Sequence, residues 1–215
     1  MRLAILISVC VLIVAFSIGS FFSYENWRTH RYDGLLVEAA VKHGLPFALL
    51  KAVADARGHF NYYTMGENGE VGLLQAPQEG VAEYKTEVKK NPDYEFGYVC
   101  INKEHRPHSR EGIIQSVRGV CNICRTRLVP GLWHPKDNVD IGAWYLAKLK
   151  KEIEEGAKNK VGDVTPLLVA AYCLTERSVR EATDNYQNPD LPPRLRSSIK
   201  DVLDKYARYR RKALK

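Results

Sequence analysis

Residues 3–22 form a run with no charged side chain and only small polar interruptions. About 20 such residues match the span of a helix that crosses a bilayer. In lipid an open strand edge is excluded, because every backbone polar group needs an internal partner. The segment is therefore expected to be a helix, read as a signal-anchor over residues 1–24. A secretory signal peptide has a shorter apolar core followed by small residues. Ser17, Gly19 and Ser20 supply such residues, so cleavage stays open. Cys10 lies inside the run with Val9 before it, and reads as a membrane-helix residue rather than a lipid attachment site. Arg2 precedes the run, whereas Arg28 and Arg31 follow it, which alone argues mildly against export of the remainder.

Beyond the run, apolar residues recur at helical spacing. Leu36, Ala39, Ala40 and His43 share one face, and Gly44 suits a helix C-terminus. Pro46 fits the first turn of the next helix, whose Leu49, Val53 and Arg57 fall in line, with Leu50 and Ala54 beside them. Residues 58–72 read as loop and 78–90 as helix. Residues 138–155 carry the stripe Ile141, Tyr145, Leu146 and Leu149, residues 166–173 are almost wholly apolar, and 202–209 form a last amphipathic helix. No strand pattern persists, so the expected fold class is mainly α. Hydrophobic residues at 45% and charged residues at 27% are ordinary for a globular chain. The net charge of +7 favours acidic partners: anionic lipid, a carboxylate-bearing polymer, or nucleic acid. No nucleic-acid-binding motif accompanies that charge, so nucleic acid is not expected as a partner.

Residues 91–135 differ in kind. They hold three of the five cysteines and three histidines among several Gly and Pro, with helical period only around 111–117. Cys121 and Cys124 make a CxxC pair, and Cys100 lies about twenty residues earlier, spacing similar to part of a zinc ribbon. His105, His108 or His134 offers a fourth ligand, with His105 preferred for its closeness to Cys100. A short insertion without its own apolar core gains order from such a metal. The alternative is a disulfide from Cys100 to Cys121 or Cys124 in an oxidising compartment. Structural zinc is the favoured expectation.

Four segments, in order, resemble the lytic transglycosylase (goose-type lysozyme-like) superfamily. Residues 52–61, AVADARGHFN, are similar to that family's apolar helix followed by Glu-Ser and Phe-Asn. Residues 69–75, GEVGLLQ, resemble its Gly-rich turn into Gly-Leu-Met-Gln. Residues 137–146, DNVDIGAWYL, resemble its Asn-Ile-x-x-Gly-x-x-Tyr-Leu helix. Residues 169–173, VAAYC, resemble Ala-Ala-Tyr-Asn, with Cys173 in place of the asparagine. The blocks cover roughly residues 32–180 apart from the insertion. The resemblance implies a lysozyme-like helical domain, residues 30–90 and 136–215. It also implies cleavage of the β-1,4 bond between N-acetylmuramic acid and N-acetylglucosamine in peptidoglycan. One glutamate would protonate the leaving oxygen, then act as base while the sugar closes a 1,6-anhydro ring. Such a group needs a raised pKa in a partly apolar site.

The glutamate position is occupied by Arg57, and Gly58 follows where the family has serine. A guanidinium stays charged and has no acceptor, so it neither donates at neutral pH nor serves as base. Asp55 lies about 200° around the helix from Arg57 and points away. Glu67 and Glu70 lie on the loop before Gln75 and are the candidates for a displaced acid, with Glu70 preferred. Arg57 either reaches the surface or holds a carboxylate of the wall polymer. Gln75 and Tyr172 are the other substrate-binding candidates. Gln75 alternatively closes its loop, and Tyr172 alternatively is a core tyrosine with a satisfied hydroxyl. Cys173 is expected to be buried and inert. The reading is a wall-glycan binder with lost or altered catalysis, tethered to the inner membrane as a single-pass protein facing the periplasm. An active enzyme using a displaced carboxylate and a partner-binding scaffold are its alternatives.

Overall fold

The structure, a computed structural model, describes residues 2–66, 69–95, 98–100, 128–156, 163–173 and 193–213. The chain divides into two compact units, Met1–Gly34 and Leu35–Lys215.

The first unit is dominated by helix α1, Arg2–His30. Its 29 residues extend roughly 44 Å at 1.5 Å per residue, more than the ~30 Å of a bilayer's hydrocarbon core. Within the span Ser8–His43 an 18-residue window has mean hydropathy 1.6, none of it buried. Among the described residues this is the one helix long and apolar enough to cross a membrane. A polar end follows the apolar run: Arg28 pairs with Glu25 at 2.7 Å, and the Arg31 guanidinium stands 4.7 Å from the ring centres of both Trp27 and Tyr32.

The second unit is helical. Helix α2 (Asp33–His43) buries Leu36, Ala39 and Ala40, the face expected from their spacing, and ends at Gly44 with φ +65°. Pro46 sits just outside the next helix as its N-cap (φ −64°), one position earlier than the first-turn placement expected. Helix α3 (Phe47–Ala56) is buried continuously from Ala48 to Ala54. Helix α4 (Gln78–Glu87) follows, then two short strands, β1 (Tyr98–Cys100) and β2 (Leu128–Pro130). They pair antiparallel with Cys100 opposite Leu128, so the two ends of the expected insertion meet as a small ribbon. Strands of three residues are too short to show alternation in the sequence, and the fold is mainly α as expected. A 3₁₀ turn, Gly131–Trp133, leads into helix α5 (Pro135–Gly156), which starts three residues before the expected 138. Helix α6 (Thr165–Cys173) is buried from Leu168 to Tyr172. Helix α7 (Pro193–Ala213) begins nine residues before the amphipathic stretch expected at 202.

The core forms where α3 packs on α7, α7 on α6, α6 on α5, and α5 on α4. Ile141, Tyr145, Leu146 and Leu149 all lie buried on one side of α5. One carboxylate ties α2, α4 and α5. Asp140 accepts from Lys42 Nζ (2.6 Å), His43 Nε2 (2.8 Å) and the Tyr84 hydroxyl (2.8 Å). Burial opposes its charge, but these three donors and the Lys42 charge hold its carboxyl well below the usual carboxylate range.

Candidate functional site

The four segments that resembled one family converge on the turn at residues 72–75. Asn138 of α5 accepts at Oδ1 from the Leu74 N–H (2.8 Å) and donates from Nδ2 to the carbonyls of Val71 (2.7 Å) and Leu132 (2.9 Å). One buried amide thus satisfies three backbone groups of two separate loops, which an unpaired loop could not bury at tolerable cost. The Tyr172 hydroxyl, on α6, donates to the Leu74 carbonyl at 3.0 Å. Two glycines let the backbones approach. A methyl group at Gly58 would lie 2.3 Å from the Leu73 carbonyl oxygen, and one at Gly142 would lie 2.7 Å from Leu74 Cβ. The block spacings therefore reflect a packing requirement around this turn.

Arg57 caps the C-terminal end of α3, its N–H bonded to the Val53 carbonyl at 2.9 Å. The chain turns sharply after it. His59 and Phe60 adopt left-handed backbone (φ 48° and 51°), and the Phe60 N–H returns to the Ala54 carbonyl at 3.1 Å. For non-glycine residues this conformation is uncommon and costs energy. The fully buried Phe60 ring offsets that cost. Glu70 arrives from a small hairpin in which Met65 and Val71 pair and the Gly66 N–H bonds the Glu70 carbonyl at 2.6 Å.

The two side chains meet. Arg57 Nη2 lies 3.3 Å from Glu70 Oε1, with the side chains 13% and 4% exposed. The guanidinium also stands 5.8 Å from the Tyr172 ring centre. Burial works against its charge, but Cys173, Tyr172 and Glu70 more than offset this, and its pKa lies above the ordinary guanidinium value. Arg57 is thus not at the surface. Its charge is met by Glu70, and the surface-reaching alternative is corrected.

Gln75 is 4% exposed with φ 49°, and its side-chain oxygen packs against Gly66 beside the Glu70 carboxylate. A methyl at Gly66 would come 2.5 Å from Glu70 Oε2 and 3.1 Å from Gln75 Oε1. Arg57, Glu70 and Tyr172 therefore share one site, and Gln75 joins it through Glu70. Tyr172, 1% exposed, has the buried, satisfied hydroxyl of a core tyrosine and supports the turn from beneath. Burial pushes the Tyr172 phenol and the Cys173 thiol up, so both stay protonated at neutral pH. Asp55 faces α7, accepting from the Tyr209 hydroxyl (2.8 Å) and pairing with Lys205 (3.3 Å).

Glu67, His105, His108, Cys121 and Cys124 lie outside the described residues, and Cys100 is described only through its strand backbone. His134 is described and stands 3.6 Å from Asp137 within the approach to α5. Among the described residues no cluster of three His, Cys, Asp or Glu side chains is placed to hold a metal. Sequence reasoning missed the Asp140 tie and the linking role of Asn138. A buried Asn followed by Asp two positions on an otherwise apolar stripe was the available signal.

Neither the protein-family models nor the curated proteins give a match to this sequence. Among solved structures, the chain is similar to the lytic transglycosylase Slt of Pseudomonas aeruginosa, determined as an inactive glutamate-to-glutamine mutant. The likeness has a TM-score of 0.52 and 16% identity, and covers 86% of this chain. It shows a lysozyme-like, mainly helical fold. The chain spans 24% of the length of Slt.

Proposed function

We propose that this chain is a peptidoglycan-directed protein on a lytic transglycosylase fold that binds wall glycan without cleaving it. The observation that carries this reading is the buried Arg57–Glu70 pair at the end of α3. A transglycosylase acid must arrive protonated and leave ionised. Arg57 has no proton to exchange at neutral pH. Glu70, the carboxylate beside it, is already paired with that guanidinium at 3.3 Å. The formal net charge of +7 suits a carboxylate-bearing polymer. Helix α1 supports a single-pass tether in the inner membrane with the domain facing the wall, and recovery of the protein in the soluble fraction after a carbonate wash would remove that tether.

Zinc bound by Cys100, His105, Cys121 and Cys124 belongs to the same proposal, on their spacing and chemistry. Reduced protein free of metal, together with a Cys100 disulfide found by mass spectrometry, would replace it with the oxidative staple. An active enzyme is the second reading, because a carboxylate does lie 3.3 Å from Arg57.

Binding is tested by sedimenting the detergent-solubilised full chain with purified sacculi. The expected result is co-sedimentation that weakens as salt rises, as basic contacts to an acidic polymer require. Protein left in the supernatant at low salt would end the wall-binding reading.

A further inference from the structure

We propose that Tyr62, Tyr63 and Trp133 form a stacking platform for an N-acetylhexosamine ring, an assignment that rests on the wall-glycan reading and adds where the sugar sits. The Tyr62 and Tyr63 ring centres lie 4.0 Å apart at 40°, and Tyr63 lies 6.0 Å from Trp133 at 46°. All three residues are half-buried, so none of them is a fully buried core residue. Some seventy residues of chain separate the tyrosines from the tryptophan, yet backbone hydrogen bonds fix each side.

On the tyrosine side, the Thr64 hydroxyl donates to the Gly58 carbonyl (2.9 Å) and the Gly72 N–H to the Thr64 carbonyl (2.9 Å). On the tryptophan side, Asn138 holds the Leu132 carbonyl (2.9 Å) and the His134 N–H closes on Gly131 (3.0 Å). The same Asn138 holds the 72–75 turn, so the platform and the Arg57–Glu70 site hang from one amide.

Aromatic faces are electron-rich and attract the C–H bonds of a pyranose, while the sugar's hydroxyls and acetamide stay wet at its edge. Rings tilted by 40–46° present a shallow, angled surface, unlike a parallel slot for a flat base. Single-stranded nucleic acid on such rings needs a cationic groove along them. Here the first turn of α5 beside Trp133 carries Lys136 and Asp137, which cancel.

The test measures binding of sacculi, and of chitotetraose by tryptophan emission, for the wild type and for Tyr62→Ala, Trp133→Ala and Trp133→Phe. Circular dichroism checks that each variant folds. The alanine variants are expected to bind about tenfold more weakly, the scale of one lost aromatic contact. Trp133→Phe should keep most sacculus binding while losing the sugar-induced emission change, because Trp27 and Trp144 remain as unresponsive emitters. Wild-type binding with no emission change, or folded alanine variants that bind sacculi equally well, would overturn the platform and leave the wall-binding reading standing. Failure of the wild type to bind sacculi would overturn both. Oligo-dT binding lost in the alanine variants, with sacculus binding intact, would reassign the platform to nucleic acid.

Discussion

Arg57 and Glu70 matter as a pair, because each alone would be a buried charge. Removing one partner of such a pair strands the other and costs about 3–5 kcal/mol, whereas replacing both with apolar residues of similar size is often neutral. Glu70→Ala is therefore expected to lower the unfolding midpoint in urea sharply, and Arg57→Met combined with Glu70→Leu to restore most of it. An Ala variant as stable as wild type would show that the pair is not desolvated. At this scale the sequence revealed that the residue at the end of α3 cannot move a proton. It did not reveal the partner, since Glu70 reaches Arg57 only through a hairpin whose turn depends on Gly66 and Gly69, the latter with φ +85°. Tyr172 was ambiguous for a plain reason: an apolar helix tells that a tyrosine is buried, and only the Leu74 carbonyl above it tells what its hydroxyl does.

Helices were legible where a stripe of apolar residues ran long enough. Leu36, Ala39 and Ala40 on α2, and Ile141, Tyr145, Leu146 and Leu149 on α5, are buried as their spacing required. The start of α7 was not, because residues 193–201 are largely charged and polar, and of residues 196–201 only Ile199 is buried. The tie among α2, α4 and α5 was also hidden, as Lys42, His43, Tyr84 and Asp140 are far apart in sequence. Its pH dependence follows from the lowered pKa of Asp140. Its stabilisation is fully present above the ordinary carboxylate value of 3.8, and is lost as pH falls through the lower folded value. Asp140→Asn is therefore expected to reduce stability at neutral pH and to flatten the loss of stability below about pH 4. Thermal unfolding across pH 2–7 checks this. A variant whose stability falls with acid as steeply as the wild type's would place the acid-sensitive group elsewhere.

On the scale of the whole molecule, the chain holds a long apolar helix and, as a second unit, a helical domain whose four marker segments meet at one turn. That the fold could be read at 16% identity has a physical cause. Gly72 and Gly142 leave room for the Asn138 and Leu74 side chains, which a Cβ would displace, and Asn138 satisfies three buried groups, so the segments that carry these residues meet at one turn. On the proposed reading this chain has the scaffold without the chemistry. The direct measurement is release of 1,6-anhydro-muropeptides from sacculi, read by mass spectrometry for the wild type and Glu70→Gln. The account predicts no release above the sacculus-only background from either protein. Release by the wild type that disappears in a folded Glu70→Gln variant would contradict it and make Glu70 the acid of an active enzyme.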